Sequence, residues 1–353
     1  MSSDIKQFTG SVEVAGKRRI GPALTLLVLS PIIGEVLSGA TRLSYIFVLV
    51  PEIMVWGCGT LIIRELARRW RAGLTSVLLL GFALSIAEEF IIQQTSIAPL
   101  PWLGTTPAYG RVWGVNWPYL LFMLGYEAVW IVLVPIQVTE LLFPERRDQC
   151  WLRVRGLIMA SVVFLLGCFI AWFLWTQRAR PLAFHVPIYY PPAMTVLVGV
   201  FAILALSATA YFVRNVWCTG VPGTPPRPWV VALLALLLGL PWYLLMVVTF
   251  VPKASLPLAV PLLGATAWAT GVFFLVKRWS RTSAWTELHR LALCFGAMLV
   301  CMAGGFLGAS AWPLMDIVAK GVLNLIAIAW MIRLAFRLAK GRQQSRIRVL
   351  EGA

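Results

Sequence analysis

Two adjacent acids, Glu88 and Glu89, lie in an otherwise apolar stretch, Gly73 to Ile97, that is long enough to cross a membrane. A carboxylate at membrane depth costs about 2.5–3.5 kcal/mol on insertion scales, so intramembrane acids usually mark functional sites. Two neighbouring carboxylates cannot both ionise at low cost, and we expect at least one of them to be protonated near neutral pH. The pair is therefore the first candidate for chemistry in this chain.

The spacing of polar residues around the pair indicates how it could act. One face of the predicted helix carries Ser85, Glu89, Gln93 and Ser96, and Glu88 lies beside that face. Glu89, with Gln93 one turn away, can hold and polarise a water molecule and serve as its general base. The same acids can instead form a structural hydrogen-bond network between helices, and the sequence leaves both interpretations open.

Other acids lie at similar depth in the apolar stretches. Glu127 follows Tyr126, and Glu52 follows Pro51, whose missing N–H group kinks a helix. At about 1.5 Å per residue, the outer half of the membrane holds Glu35, Glu52, Glu88, Glu89, Glu127, Asp316 and Lys320. We predict one polar cavity that opens outward, with Glu35 and Glu52 on a proton or ion path.

The last apolar stretch carries a polar stripe, because Asp316, Lys320 and Asn324 recur every four residues on one helix face. These residues are further candidates for the proton or ion path. A lone ammonium group at this depth would be costly, so we expect Lys320 to pair with Asp316 or with an acid of the first four spans. Glu140, at the inner end of its span, is expected to snorkel to the interface.

Composition indicates the elements that must position these side chains. The chain has 353 residues, of which 60% are hydrophobic and 12% charged, whereas soluble proteins carry about 25% charged residues. Apolar stretches of about 20 residues match the thickness of a bilayer. We predict an all-α, polytopic helical membrane protein with about ten transmembrane helices, at Ile20–Ala40, Ser44–Ile63, Gly73–Ile97, Trp117–Phe143, Gly156–Trp175, Pro192–Val213, Trp229–Val251, Leu256–Val276, Leu291–Ala311 and Trp312–Phe336.

The basic residues predict the orientation of these helices. The net charge is +16, and only five of the 30 Lys and Arg residues fall outside when the N-terminus is placed in the cytoplasm. This positive-inside bias predicts that both termini are cytoplasmic. The basic face also favours membrane lipids with anionic headgroups as partners, and nucleic acid is not expected. The predicted location is a cell membrane, in the first place a bacterial inner membrane.

The ionisable residues also divide the chain into regions. We predict a cytoplasmic tail at 1–19, a four-helix polar unit at 20–145, six mostly apolar helices at 146–336 and a basic cytoplasmic tail at 337–353. The outer loop Ala98–Asn116, rich in Trp, Gly and Pro, could be a lid over the cavity or an interfacial aromatic belt. Thr176–Pro192 is a similar outer loop, and Thr219–Pro228 is predicted to be a linker.

Histidine and cysteine patterns point to no cofactor. His185 and His289 fall on opposite sides of the membrane in this topology, so a histidine-based zinc site within one chain is not expected. The cysteines lie in spans or cytoplasmic loops, and no disulfide framework is expected. No metal motif and no covalent haem motif occurs, so the sequence predicts no metal site and leaves any cofactor unknown.

The string Ala87-Glu88-Glu89-Phe90-Ile91-Ile92-Gln93 resembles the first motif, E-E-x-x-x-R, of the CPBP (Abi, CAAX-protease-like) intramembrane proteases. The resemblance covers about residues 75–145 and implies a glutamate that activates water to cleave a peptide bond. That family carries F-x-x-x-H on a following helix and H-x-x-x-N or H-x-x-x-D on a later one. Here Gln93 replaces the arginine, Phe122-x-x-x-Tyr126 precedes Glu127, and the family's histidines are missing.

The resemblance makes Glu88, Glu89, Gln93 and Glu127 the candidate catalytic residues, and the missing histidines equally predict a catalytically silent relative. Our leading hypothesis is an integral membrane subunit or scaffold, since uncharged helices offer apolar faces to other membrane proteins. The alternatives are an active glutamate-dependent intramembrane hydrolase, or a proton- or cation-coupled transporter that uses the buried carboxylates. Whether the protein is an enzyme is left open.

Overall fold

The computed structural model describes residues 20–104, 106–214, 222–250 and 256–351, with side chains described as far as Gly341. Within these residues, nine helices are long and apolar enough to cross a membrane, and a shorter apolar helix precedes them. The prediction of an all-α, polytopic membrane protein is confirmed. The helices, α1 to α10 in chain order, are Ile20–Val36, Leu43–Arg69, Leu74–Ile92, Trp117–Leu142, Val154–Ala183, Ala193–Phe212, Pro228–Phe250, Ala259–Ser280, Glu287–Gly304 and Leu314–Glu351.

Short elements connect or open these helices. The strands Arg111–Val112 (β1) and Val115–Asn116 (β2) form an antiparallel hairpin between α3 and α4. Single 3-10 turns lie in the connections at Pro101–Leu103, Pro144–Arg146 and Ala309–Ala311. Two further 3-10 segments open α2 and interrupt α7, at Leu43–Val48 and Leu240–Tyr243.

In the described part of the chain, the helices also contain five π-helical segments, and four of them lie next to intramembrane acids. The five segments are Ile32–Val36, Ile53–Gly57, Glu88–Ile92, Glu127–Leu133 and Phe173–Ala183. The first contains Glu35, the second directly follows Glu52, and the third and fourth begin at Glu88 and Glu127. Single π-helical turns inside α-helices are frequent at functional sites. The backbone thus departs from regular α-helix at each of the outer acids of α1 to α4.

The acidic helices occupy the centre of the molecule. The buried share of the membrane-crossing segment is 56% in α2, 61% in α3 and 67% in α4, but 11% in α5 and α6 and 0% in α8. The helix α1 packs between α2 and α4, and α9 packs against α4 and α7. The central helices therefore carry the acids, and α5, α6 and α8 present most of their side chains to the surroundings.

Two glycines allow neighbouring helices to approach α4 closely. A Cβ atom on Gly81 of α3 would lie 3.0 Å from Cα of Ala128, and one on Gly34 of α1 would lie 2.4 Å from a side-chain carbon of Ile131. Small residues at helix crossings allow such close packing within membranes. The crossing at Gly81 brings the middle of α3 against the middle of α4.

The helix α3 ends earlier than predicted, at Ile92 instead of Ile97. The backbone amides of Gln93 and Gln94 both donate to the carbonyl of Glu88, at 2.9 and 3.2 Å. Gln94 has a left-handed backbone with φ of 63°, a conformation that commonly terminates a helix. The chain then turns back over the end of α3 instead of continuing outward.

Other helices begin or end at residues that differ from the predicted spans. α1 ends at Val36, α5 continues to Ala183 through the start of a predicted outer loop, and α10 continues to Glu351 through the predicted basic tail. α2 continues past Ile63 to Arg69. Residues 222–227 of the predicted linker are irregular. The predicted N-terminal tail, residues 219–221 of the linker and Lys253 lie outside the described residues.

Candidate functional site

Glu88 and Glu89 of α3 and Glu127 of α4 form a compact group of carboxylates. Their exposed fractions are 2%, 0% and 0%. One carboxylate oxygen from each residue lies within 4.8 Å of the other two. We call these three residues the triple-glutamate cluster. The structure thus brings together three of the four candidate catalytic residues, on the two helices that the family resemblance involves.

Glu89 is held by the turn that follows α3. The hydroxyl groups of Thr95 and Ser96 donate to Glu89 Oε2 at 2.7 and 2.6 Å. Hydrogen bonds to a carboxylate are about twice as strong as neutral ones, so they fix this side chain. Gln93, which was expected to hold a water with Glu89, directly follows the last residue of α3, and the two hydroxyl donors to Glu89 come from Thr95 and Ser96 instead. Ser96 reaches Glu89 through the turn and not along a helix face.

Most of the remaining oxygens of the cluster have no hydrogen-bond donor within the described part of the chain. They are Glu88 Oε2, Glu89 Oε1 and both carboxylate oxygens of Glu127. Ser85 Oγ, one turn before Glu89 and fully buried, lies beside Glu127 without a hydrogen bond of normal geometry. Buried polar groups are paired in the great majority of cases. This concentration of unpaired acceptors is therefore the most unusual feature of the protein interior.

The charge of the cluster is not balanced by nearby side chains. Among the described residues, none of its three carboxylates forms an ion pair with Lys or Arg. Two ionised carboxylates 4.8 Å apart would repel each other by about 3.5 kcal/mol at an effective dielectric constant of about 20. Glu35 lies within electrostatic range of Glu88 and Glu127 and adds to this repulsion. The cluster therefore needs protons or a bound cation.

The outer loop folds back over the cluster. Asn116 is fully buried, and its Nδ2 group donates to the carbonyls of Thr95 and Ala98 at 3.1 and 2.9 Å. Arg111 donates to Asn116 Oδ1 at 2.9 Å, and burial lowers the pKa of the Arg111 guanidinium. Trp113, between the two strands, is 91% exposed. The base of the loop thus covers the turn that holds Glu89, and its tip presents an exposed tryptophan; the lid and the aromatic belt both stay predictions.

Glu35 and Glu52 continue the acidic region toward the connection between α1 and α2. They lie close enough to repel each other, and both are half-buried. The hydroxyl of Thr41 donates a short hydrogen bond to Glu52 Oε1. Thr41 also lines a small cavity of about 20 Å³, together with Asp316 and Lys320, which is enough for a water molecule. Glu35 therefore lies within electrostatic range both of Glu52 and of the triple-glutamate cluster.

Lys320 does not pair with an acid among the described residues, so the expected ion pair is wrong. Its Nζ atom donates to the carbonyls of Leu37 and Met302, at 2.7 and 3.0 Å. These carbonyls lie at the C-terminal ends of α1 and α9, where helices leave acceptors unpaired and carry partial negative charge. Asn324, with its amide oriented to suit both neighbours, accepts from Lys320 at 3.0 Å. Asp316 instead accepts from the backbone amide and hydroxyl of Ser44, at 3.0 and 2.8 Å.

A second group of buried charges lies at the inner side, where the sequence predicted only an interfacial glutamate. Glu140 of α4 is 1% exposed. It accepts a short hydrogen bond from Arg68, lies 3.2 Å from Arg290 Nη2 and lies 3.5 Å from Arg64 Nε. We call Glu140 and its three arginines the Glu140 cluster. The prediction that Glu140 snorkels to the interface was wrong, because arginines from α2 and α9 enclose it.

Arg64 anchors this second cluster to the loop between α4 and α5. Its guanidinium donates to Glu65 at 2.9 Å and to the carbonyls of Gln149 and Arg147 at 2.6 and 2.7 Å, and it lies 3.5 Å from the ring centre of Trp151. Such a bonded and stacked guanidinium is typical of buried arginines. The sequence did contain a signal: an acid at the inner end of α4 opposite the basic end of α2.

The geometry describes a polytopic membrane protein whose central helices hold an unbalanced group of carboxylates. No curated protein and no solved structure matches the chain. A family model does match, over residues 24–344, and its description reads uncharacterized membrane protein family. That match covers all ten helices except the first four residues of α1 and the last seven residues of α10. The chain is therefore a multi-pass integral membrane protein that belongs to this membrane protein family.

Proposed function

We propose that the protein is a proton- or cation-coupled membrane transporter in which the triple-glutamate cluster exchanges protons for a cation. One observation carries this proposal. Three buried carboxylates place oxygens within 4.8 Å of one another, and no basic side chain of the described residues balances them. A buried charge that lacks a fixed partner must obtain a mobile one, either protons or a cation. Coupled transport depends on the exchange of protons for a cation at one site.

The donor set suits a hard divalent cation. Carboxylate and hydroxyl oxygens are the ligands that Mg²⁺, Ca²⁺ and Mn²⁺ prefer. Opposed ligands of such ions, at about 2.0–2.6 Å from the metal, lie about 4–5 Å apart, which matches the separation of up to 4.8 Å in the cluster. The hydroxyl of Ser85 is an additional oxygen beside Glu127. The sequence predicted no metal site, because the three carboxylates come from two separate helices and form no ligand-spacing motif along the chain.

Further carboxylates supply a route for protons. Thr41 connects the small outer cavity to Glu52, and Glu52 lies near Glu35, which is within electrostatic range of the cluster. Chains of intramembrane acids serve as proton relays in pumps and transporters. The order Thr41, Glu52, Glu35 and then Glu127 is the path that we propose.

The first experiment measures cation binding by the full chain in mild detergent, with Mn²⁺ as the probe and its electron paramagnetic resonance signal as the readout. We expect about one Mn²⁺ per chain and an affinity that falls as the pH falls, because protons compete for the same oxygens. Glu127→Gln should abolish the binding. Glu52→Gln is the matched control, since this acid lies outside the cluster. Equal binding by wild type and Glu127→Gln would overturn the proposal.

The second experiment measures transport in proteoliposomes with an imposed pH gradient. We expect Mn²⁺ movement coupled to the gradient in the wild type and none in Glu127→Gln. Glu52→Gln should keep its Mn²⁺ binding in detergent but slow the coupled flux, because it interrupts the proposed proton path. Full binding without any flux in the wild type would leave a cation site but contradict the assignment as a transporter.

An intramembrane hydrolase is the second candidate, and one observation favours it. The CPBP-like string of α3 and the position after Phe122-x-x-x-Tyr126 on α4 meet in the triple-glutamate cluster. Tyr126 itself points elsewhere, since its hydroxyl donates a short hydrogen bond to the carbonyl of Gly34, so Glu127 takes the place beside the glutamate pair. Cleavage of membrane-embedded peptides that Glu88→Gln abolishes would support the hydrolase. Glu88-independent cleavage would contradict it.

The hypothesis of a membrane subunit or scaffold stays a prediction. It rests on the exposed apolar faces of α5, α6 and α8, which lipid alone can cover. Intact mass measurement after extraction from the native membrane in mild detergent tests it. A stoichiometric complex with other membrane proteins would support a subunit, and a chain that extracts alone or as a homodimer would contradict it.

A further inference from the structure

A large cavity lies between α3, α4, α7, α8 and α9, away from the triple-glutamate cluster. Its volume is about 900 Å³, near the upper end of the range for ligand pockets. The position of α8 creates it, because this helix has no buried residue and stands away from the central helices. None of Glu88, Glu89 and Glu127 lines the cavity, so it is separate from the proposed cation site.

Most of the cavity wall is apolar. The lining side chains include Leu78 and Phe82 of α3, Val129 of α4, and Phe273 and Val276 of α8. Apolar walls of this kind favour hydrocarbon over water. The central part of the cavity is therefore suited to hydrocarbon chains.

One end of the cavity is charged, and it lies at the cytoplasmic side that the positive-inside bias assigns. Four arginines and two acids line this end: Arg64, Arg68, Arg147, Arg290, Glu140 and Asp148. The side chains of Arg68, Arg147 and Arg290 are 27%, 37% and 15% exposed, so a ligand can reach them. The charged end of the cavity, which we call the rim, thus has a net positive charge, and the rest of the cavity is apolar.

We infer that this cavity binds a phospholipid with an anionic headgroup from the cytoplasmic leaflet. The headgroup lies against Arg68, Arg147 and Arg290, and the acyl chains lie between α3 and α8. Basic pockets between transmembrane helices on the cytoplasmic side are suited to anionic headgroups. A partner helix does not fit, because about 20 residues of helix, roughly 10 Å wide and 30 Å long, need more than about 2,000 Å³. The inference is independent of the proposed transport function.

The first test blocks the apolar part of the cavity with a bulky side chain. The full chain, stripped of lipid in detergent, is titrated with phosphatidylglycerol or with phosphatidylcholine of the same acyl chains, and bound lipid is counted by native mass spectrometry. We expect one phosphatidylglycerol to be retained in preference to phosphatidylcholine. Ala269→Trp, on the cavity side of α8, should remove this binding, and Ala267→Trp, which does not line the cavity, should keep it. Equal loss in both variants, or loss in neither, would overturn the inference.

The second test removes rim charge. Arg147 makes only long ion pairs, at 3.7 Å to Asp148 and 3.8 Å to Glu287, so Arg147→Gln should fold even if Arg290→Gln does not. Each substitution should lower the preference for phosphatidylglycerol by about fivefold. Arg278→Gln, at the end of α8 but outside the lining, is the matched control. An unchanged preference in Arg147→Gln, or no preference in the wild type, would contradict the headgroup assignment.

Discussion

The two groups of buried glutamates differ in what balances their charge. Glu140, at the inner side, is enclosed by Arg64, Arg68 and Arg290. The triple-glutamate cluster at the outer side is equally buried. Its clearest hydrogen-bond donors are the hydroxyls of Thr95 and Ser96, and no Lys or Arg of the described residues forms an ion pair with it. The first arrangement joins α2, α4 and α9 through fixed charges. The second lacks a fixed positive charge and is therefore suited to the reversible binding of protons and cations.

The same substitution should consequently have opposite effects in the two groups. Removing one partner from a buried ion pair leaves an uncompensated charge and is strongly destabilising. Removing one of several mutually repelling carboxylates relieves repulsion. Glutamate-to-glutamine variants at the two places therefore separate a structural role from a functional one.

The largest effect is expected for Glu140→Gln. Three buried or half-buried arginines would lose their common acceptor, and the free energy of unfolding should fall by about 3–5 kcal/mol. Thermal unfolding of the purified chain in detergent measures this loss. Glu145→Gln, at an exposed acid in the neighbouring loop, should change stability by less than about 0.5 kcal/mol. A similar small change in Glu140→Gln would show that the arginines do not depend on this carboxylate.

In the outer group, Glu88→Gln and Glu127→Gln should leave the unfolding temperature unchanged or raise it, since they reduce repulsion. The same variants should weaken Mn²⁺ binding by about 100-fold or more, which corresponds to about 2.7 kcal/mol. Paired measurements of unfolding and binding on each variant test this prediction. A marked loss of stability would assign the triple-glutamate cluster the same structural role as Glu140.

Lys320→Met should have an intermediate effect on stability. The ammonium group donates to two buried carbonyls at the ends of α1 and α9, and these acceptors would lose their donor. We expect the free energy of unfolding to fall by about 2 kcal/mol. Lys340→Met, at an exposed position on α10, should be close to neutral by the same measurement. Equal stability of the two variants would show that Lys320 does not hold the helix ends together.

The smallest effect is expected for the residues that hold Glu89. Thr95→Val combined with Ser96→Ala removes both hydroxyl donors to Glu89 Oε2, so the side chain should lose its fixed orientation. Mn²⁺ affinity should fall by about tenfold, or 1.4 kcal/mol. Thr209→Val, at an exposed hydroxyl on α6 that bonds only to its own helix, is the control. Unchanged affinity in the double variant would mean that the turn is not part of the site.

The sequence predicted the class of the fold and pointed to Glu88, Glu89 and Glu127 as buried acids, because an acid within an apolar stretch is visible without any structure. It could not predict that α3 ends at Ile92, since this depends on the left-handed backbone of Gln94. Such a conformation is uncommon for residues other than glycine. Hence Thr95 and Ser96, and not Gln93, bind Glu89.

Tertiary contacts account for the other differences. The partners of Glu140 come from α2 and α9, and Arg290 is 150 residues away in the chain. The acceptors of Lys320 are backbone carbonyls, which carry no signature in the sequence. The cavity beside α8 depends on the position of that apolar helix relative to its neighbours. The amino-acid composition of α8 does not indicate this position. Local patterns identify buried charges but not the groups that balance them.

The most direct test of the central claim is the number of protons released when the outer cluster binds a cation. Mn²⁺ is added to the detergent-solubilised protein at neutral pH, and titration calorimetry in buffers of different ionisation enthalpy counts the protons. The account predicts at least one proton released per Mn²⁺ bound by the wild type, and neither binding nor release in Glu127→Gln. Mn²⁺ binding without proton release, or the same release in Glu127→Gln, would contradict it.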